Sequence, residues 1–179
     1  MKELILGGIK SGKSNYALRD LDVGSKKVFI ATAEPLDSSM EKRIRLHRNS
    51  RCKSFETIEE PLEVSAKIKR YSAEKEPPLI VLDCLTLWLS NLMHHFKEES
   101  TIQLKVEELV KTISLYPGAM RIVSNEVGFG IIPESKLARE FADELGRMNQ
   151  RVARVMDHLI IMFAGYPAVI KEIKYDNEK

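Results

Sequence analysis

Three groups of residues in this 179-residue chain are suited to phosphate chemistry. The first is GGIKSGKS, which satisfies the pattern G-x-x-x-x-G-K-[ST] directly after a short apolar run. Glycines let the backbone wrap a phosphate with its N–H groups pointing inward, and the dipole of a following helix adds positive charge there. Lys13 is predicted to reach the β- and γ-phosphates of a nucleotide, and Ser14 to bind Mg²⁺. The predicted phosphate loop is Gly7, Gly8, Ile9, Lys10, Ser11, Gly12, Lys13 and Ser14.

The second group is the acid that a magnesium site beside such a loop requires. The apolar run Leu79–Leu82 delivers Asp83 at the end of a predicted strand, which is the edge of a parallel sheet where ligands bind. We therefore predict that Asp83 binds Mg²⁺, directly or through water. Two alternatives stay open: Asp83 could instead cap the following helix, and Glu126, just past the run Arg121–Ser124, could be the acid.

The third group surrounds a single histidine, His47. Arg43 lies four residues before His47, so both share one face of a helix. Five lysine and arginine side chains lie near His47 in the sequence. A cluster of cations like this could hold a polyphosphate, and its positive charge would disfavour the protonated imidazole and so keep His47 nucleophilic. The alternative is a solvated helix face that happens to contain a histidine, and composition alone does not decide between the two. The neighbouring cations are Lys42, Arg43, Arg45, Arg48 and Arg51.

The apolar pattern predicts the elements that position these groups. Strand-length apolar runs alternate with longer stretches of helical periodicity, which is typical of β-α units and a mainly parallel sheet. Strands are predicted at Glu3–Leu6, Val28–Ala31, Leu79–Leu82, Arg121–Ser124 and His158–Phe163, with a weaker one at Ser54–Thr57. Helices are predicted at Lys13–Leu21, Ser38–Asn49, Pro61–Tyr71, Thr86–Phe96, Ile102–Leu115 and Pro133–Met156. The predicted fold class is a single α/β domain at 1–173, a RecA-like P-loop NTPase sheet flanked by helices, followed by a polar tail at 174–179.

Composition and charge exclude other classes of protein. Twenty-eight Lys and Arg against 26 Asp and Glu leave a net charge of +2, without the basic excess of a protein that neutralises a nucleic-acid backbone. No stretch reaches the roughly 18–20 apolar residues that span a bilayer. The two cysteines, Cys52 and Cys84, lie in no disulfide or zinc spacing. We predict a cytoplasmic protein that binds no nucleic acid and crosses no membrane.

One further loop is shaped for a ligand. In Asn125–Pro133 two glycines flank an aromatic residue, at the predicted edge of the sheet where a substrate binds. A plain structural turn is the alternative. The helix that follows is dense in polar groups, with a solvated face as the alternative to a functional one. These groups are Arg139, Asp143, Arg147, Asn149 and Gln150.

Taken together, these motifs resemble one family: the bifunctional adenosylcobinamide kinase / adenosylcobinamide-phosphate guanylyltransferases of cobalamin biosynthesis. The resemblance covers nearly the whole chain. It rests on GGIKSGKS at 7–14, IATAEPLDSSMEKRIRLHRNSR ending at Arg51, TIEEP at 57–61, LDCLTLWLSNL at 82–92 and SNEVGFGIIPESKLAREFADELGRMNQRVA at 124–153.

The resemblance implies two reactions. ATP or GTP phosphorylates adenosylcobinamide with Mg²⁺, and His47 then carries GMP from GTP to the corrinoid phosphate, giving adenosylcobinamide-GDP. It also implies a homo-oligomer, a trimer. The loop Asn125–Pro133 and the helix residues Arg147, Asn149 and Gln150 match motifs of the family, and the resemblance leaves open whether they contact the corrinoid or a neighbouring subunit. Glu59 is expected near the guanosine sugar or base. Besides the phosphate loop, the implied nucleotide-site residues are Ala31, Thr32, Ala33, Arg48, Asn49, Ser50, Arg51, Glu59 and Asp83.

Three other functions share parts of this pattern. A small-molecule kinase without the guanylyl step would use the same phosphate loop but would not need His47. A GTP-binding switch would be expected to carry an N-K-x-D guanine reader, which the sequence lacks. A RecA-like nucleic-acid motor would show a charge excess and an aromatic platform for single strands.

Overall fold

The structure is a computed structural model that describes residues 1–21, 26–35, 38–49 and 55–171. Its strands are β1 (Lys2–Gly7), β2 (Lys27–Ala31), β3 (Glu56–Glu59), β4 (Leu79–Asp83), β5 (Met120–Val123), β6 (His158–Phe163) and β7 (Tyr166–Lys171). Its helices are α1 (Lys13–Ala17), α2 (Ser38–Asn49), α3 (Val64–Ser72), α4 (Leu85–His95), α5 (Glu99–Leu115) and α6 (Lys136–Ala153). The predicted tail at 174–179 lies outside the described residues.

One seven-stranded sheet, in the order β3-β2-β4-β5-β1-β6-β7, organises the chain. Every neighbouring pair is parallel except β6 and β7. Strand β1 lies inside the sheet, and Leu4 pairs with Ile122 of β5 on one side and with Leu159 of β6 on the other. This arrangement confirms the predicted α/β class with a mostly parallel sheet.

Both faces of the sheet are covered, which explains why its strands read as continuous apolar runs. Leu4 and Leu6 of β1 pack in a core with α3, α4, α5 and α6. Ile5 points to the opposite face and packs in a second core with Ala17 of α1. The alternation of β1 side chains therefore fixes α1, and the loop before it, on one face of the sheet.

The predicted elements exist, but several of their bounds were wrong. Helix α1 ends at Ala17 and not at Leu21. Helix α3 begins at Val64, later than predicted, because the Glu60 carboxylate accepts hydrogen bonds from two backbone N–H groups before the helix starts. Helix α6 begins after Ser135, whose hydroxyl accepts from the N–H of Ala138, and not at Pro133. Strand β3 lies later than predicted, at Glu56–Glu59.

Strand β7 was missed altogether. It forms an antiparallel hairpin with β6 through the turn Ala164–Gly165, and Phe163 pairs with Tyr166 beside that turn. Gly165 has φ of +89°, which glycine adopts without strain. The signal for this hairpin was present as a glycine between two apolar runs.

Candidate nucleotide-binding site

The segment between β1 and α1 forms a tight loop whose shape requires glycine at two positions. Gly7 has φ of +150°, and a Cβ there would lie 2.6 Å from the carbonyl oxygen of Met162. Gly12 has φ of +96°, and a Cβ there would lie 3.3 Å from the Cα of Gly165. The loop therefore lies close against β6 and the β6–β7 turn, in a conformation that larger residues cannot adopt.

Lys13 is held inside this loop. Its side chain is only 7% exposed, and its ammonium donates a 2.7 Å hydrogen bond to the carbonyl of Gly8. Burial lowers the pKa of Lys13, while the negative charge of Asp83 acts in the opposite direction. An ammonium kept at this point has few partners of its own and would gain strongly from the oxygens of a polyphosphate.

Asp83 lies at the carboxyl end of β4, separated from β1 by β5. The residue at the N-cap of α4 is Cys84, so Asp83 does not occupy the cap position that was its alternative role. The peptide bond between Asp83 and Cys84 is cis. The negative charge of Asp83 acts on the Lys13 ammonium, so the two groups are near each other at this edge.

Glu126, the other predicted acid, lies even closer to the loop. Its backbone N–H donates to the carbonyl of Gly7 at 3.1 Å, and its carboxylate accepts from the N–H of Gly128 at 2.9 Å. The structure thus brings both candidate acids to the edge that carries the phosphate loop. The choice of Asp83 over Glu126 as the metal partner stays a prediction.

The residues present fit a magnesium ion that is held mainly by phosphates and water. The described residues contain no group of three or more His, Cys, Asp or Glu side chains that could form a protein cage for a metal. The buried Ser11 hydroxyl has no hydrogen-bond partner among them either, as expected for a site that is completed by a ligand. Mg²⁺ in nucleotide sites commonly uses one or two protein ligands and keeps several waters. Ser14 and Asp83 could supply these protein ligands.

Thr32 follows β2 and is fully buried. Its hydroxyl donates to the carbonyl of Cys84 at 2.7 Å and accepts from the Cys84 N–H at 2.9 Å, and the amide of Asn91 donates to the Thr32 carbonyl at 2.7 Å. Thr32 therefore joins the end of β2 to the start of α4. Among the predicted site residues nearby, Ala31 pairs with Glu59 of β3, and Ala33 directly follows Thr32.

His47 belongs to α2, whose predicted bounds Ser38–Asn49 match the structure. Helix α2 follows β2 in the chain, and so leaves the sheet at the edge that carries the phosphate loop. The side chains of His47, Arg48 and Asn49 lie outside the described part of the structure, as do Ser50 and Arg51. The predicted roles of these five residues stay predictions.

A polar network that sequence reasoning did not find supports the loop after β5. The Ser124 hydroxyl donates to the side-chain carbonyl of Asn149 at 2.8 Å, and the Asn149 amide donates to the carbonyl of Asn125 at 3.1 Å. The N–H of Asn125 in turn donates to the Thr86 hydroxyl at 2.8 Å. The sequence marks Asn149 as a polar residue of a long helix that matches a family motif, but nothing in its spacing indicates a partner 25 residues away.

A strand–loop–helix with a buried lysine, beside a parallel sheet with an acid two strands away, defines a P-loop nucleotide-binding protein with a RecA-like sheet. Two solved structures share this fold. A KaiC-like protein of Pyrococcus horikoshii superposes with a TM-score of 0.52 at 11% identity, over 97% of this chain and 79% of that one. The RadB recombinase superposes with a TM-score of 0.51 at 12% identity, over 89% and 73%. At these identities the likeness concerns the fold alone.

The chain belongs to the family described as cobinamide kinase / cobinamide phosphate guanyltransferase, whose model matches residues 3–170. It is 38% identical over 172 residues to the bifunctional adenosylcobalamin biosynthesis protein CobP of Pseudomonas aeruginosa, covering 96% of this chain and 98% of that protein. It is 31% identical over 183 residues to the CobU protein of the same description from Escherichia coli, covering 96% and 100%. The resemblance carried by the motifs is confirmed.

The helices that the structure describes include none that is long and apolar enough to cross a membrane.

Proposed function

We propose that this chain catalyses both reactions named in its family description: phosphorylation of cobinamide, and transfer of GMP to the cobinamide phosphate. The observation that carries the proposal is the buried ammonium of Lys13 inside a glycine-shaped loop at the carboxyl edge of the sheet. Family membership supplies the corrinoid acceptor. We further propose that the protein acts in the cytoplasm, where ATP and GTP are available as substrates.

For the kinase step, the backbone N–H groups of the loop and Lys13 bind the triphosphate of ATP or GTP. A phosphoryl group leaves the nucleotide with negative charge spread over its oxygens, and Lys13 offsets that charge at a fixed position. Magnesium, held by Ser14 and Asp83, would neutralise charge on the same phosphates. The acceptor is an alcohol on the side arm of the corrinoid, and catalysis consists mainly of holding it in line.

For the transfer step, the nucleophile is His47. Its imidazole attacks the α-phosphorus of GTP, pyrophosphate leaves, and the corrinoid phosphate then displaces the imidazole to form the diphosphate. Two observations support this assignment: α2 starts from the edge that carries the phosphate loop, and the exposed cations Lys42 and Arg45 lie within one turn and a half of His47. Positive charge on these side chains would attract the polyphosphate of the nucleotide.

The test is covalent labelling of the protein by GTP labelled at the α-phosphate, with Mg²⁺ present. We expect an acid-labile, alkali-stable label on the wild type and none on His47→Asn. His94→Asn is the matched control, since His94 is an exposed histidine in the last turn of another helix, α4, and should label normally.

Turnover of cobinamide with each nucleotide separates the two halves of the proposal. Phosphorylation without any label on the wild type would show a kinase that lacks the transfer step. Label on the wild type and on His47→Asn alike would assign the nucleophile to another residue. The expected trimer can be measured on the same sample by light scattering.

A further inference from the structure

An exposed apolar surface lies beside the phosphate loop. The rings of Phe129 and Phe163 stack with an interplanar angle of 8° and centroids 6.4 Å apart, although Phe129 is 70% exposed. Ile131 is 96% exposed. Large exposed apolar patches on a protein surface commonly mark sites that bind a ligand or another protein. We call this stacked pair, together with the other exposed aliphatic residues of the loop after β5, the apolar platform: Val127, Phe129, Ile131, Ile132 and Phe163.

Backbone contacts attach both halves of the platform to the phosphate loop. Directly before Val127, the backbone N–H of Glu126 donates to the carbonyl of Gly7, the last residue of β1. On the other side, Phe163 directly follows Met162, whose carbonyl faces Gly7. Since β1 lies between β5 and β6, the two halves meet across the end of the strand that carries the phosphate loop.

The sheet order shows which end of a bound triphosphate the platform borders. Asp83, the predicted magnesium partner, lies two strands from β1 on the β5 side, which is about 10 Å at the usual strand spacing. Magnesium binds the β- and γ-phosphates, so the γ-phosphate is expected to face β5 and β4. The loop after β5, with four of the five platform residues, therefore borders the end of the nucleotide that an acceptor must approach.

The base of that loop is held rigidly. Ser124 and Asn125 are both hydrogen-bonded to Asn149, and Thr86 holds the N–H of Asn125. The bond between Ser124 and Asn149 is buried and the other two are partly buried, with Ser124 fully buried and Asn149 4% exposed. A platform fixed relative to the phosphate loop can set the distance between a ring system and the γ-phosphate.

We propose that the apolar platform binds the corrin ring of cobinamide and so directs its alcohol side arm at the γ-phosphate. This inference rests on the proposed kinase function. The corrin ring is a broad, nearly flat macrocycle that carries many methyl groups besides its amide side arms, and the platform offers exposed aromatic and aliphatic side chains to those apolar parts. The ring would lie to one side of the triphosphate, and the side arm would bridge the two.

The test is equilibrium dialysis of cobinamide, which is coloured, against the full chain with Mg²⁺ and a non-hydrolysable ATP analogue. We expect Phe129→Ala to raise the dissociation constant for cobinamide by about tenfold, a loss of affinity usual for a central aromatic contact. Ile131→Ser should raise this dissociation constant severalfold. Because Ile131 is 96% exposed, the change cannot disturb the core. Leu104→Ser is the matched control, an aliphatic residue 66% exposed on α5, and should stay within twofold.

Two further measurements on the same variants decide between occupants. The proposal requires that the molar mass by light scattering and the affinity for the ATP analogue stay at their wild-type values. A fall in molar mass, with or without weaker cobinamide binding, would assign the platform to a second copy of the chain and overturn the proposal. Weaker binding of the ATP analogue would show that the platform binds the nucleobase. If molar mass, cobinamide binding and analogue binding are all unchanged, the platform is only solvated surface.

Failure of this inference is distinct from failure of the proposed function. If the proposed function is wrong, the wild type itself shows no cobinamide turnover and no label from GTP. If only the platform is wrong, the wild type is active and binds cobinamide, and the platform variants bind it equally well.

Discussion

The backbone N–H of Gly165, in the turn between β6 and β7, donates a 3.0 Å hydrogen bond to the carbonyl of Ser11 in the phosphate loop. The hairpin turn therefore supports the loop from the side opposite β5. Gly12 lies against the same turn, since a Cβ on Gly12 would come within 3.3 Å of the Gly165 Cα. Two tight turns that are 153 positions apart thus depend on each other's shape.

Replacing Gly165 tests this dependence. At φ of +89° an alanine is strained, and we expect Gly165→Ala to lower the free energy of unfolding by about 1–2 kcal/mol and to weaken nucleotide binding. Gly146→Ala is the control: Gly146 lies inside α6 with open space at its Cβ position, so alanine there should stabilise by roughly 0.5–1 kcal/mol. Urea unfolding measures both, and equal effects at the two sites would contradict the argument.

Replacing Lys13 tests whether the buried ammonium of the phosphate loop lowers the free energy of unfolding when no nucleotide is bound. Burial lowers the pKa of Lys13, so between that lowered value and 10.5 the unfolded chain holds the proton more fully than the folded chain does. The contribution of Lys13 to the free energy of unfolding therefore rises with pH in that range and is unfavourable at neutral pH. We expect Lys13→Met to melt at or above the wild-type temperature at pH 7 and to lose kinase turnover.

Two comparisons sharpen the Lys13 experiment. Nucleotide with Mg²⁺ should raise the melting temperature of the wild type but hardly that of Lys13→Met, because the ammonium supplies much of the binding. Lys10→Met removes an exposed charge from the same loop and should leave the melting temperature of the free protein unchanged. A marked drop in the melting temperature of Lys13→Met would show that the Gly8 hydrogen bond outweighs the cost of burial.

Replacing Asn149 tests the support of the loop after β5. Asn149→Ala removes the partner of the Ser124 hydroxyl and of the Asn125 carbonyl, and we expect a loss of about 1–3 kcal/mol in the free energy of unfolding. Kinase turnover should fall more than covalent labelling by GTP, since this loop borders the acceptor. Gln150→Ala, at the exposed neighbouring position, should change stability by less than about 0.5 kcal/mol. Equal losses of turnover and labelling would argue for a general structural role.

Several features of this protein follow from local sequence. The phosphate loop was predictable because its glycines, Lys13 and Ser14 are contiguous, and the backbone geometry that they favour needs no distant partner. The bounds of α2 were predictable because a polar start at Ser38 precedes continuous helical periodicity. Strands β1, β2, β4 and β6 were recognisable because burial on both faces requires unbroken apolar runs.

Other features depend on pairings between residues far apart in the chain, which local patterns do not encode. The order of the strands places Asp83 two strands from the phosphate loop, although each strand alone is compatible with many orders. Three contacts form only once β5 and β6 have paired on either side of β1. They are the stack of Phe129 on Phe163, the hydrogen bond of Asn149 with Ser124 and that of Gly165 with Ser11. Sequence by itself determined which groups are the candidates for binding phosphate. The tertiary structure decided what lies beside them, because packing and strand pairing are properties of the whole chain.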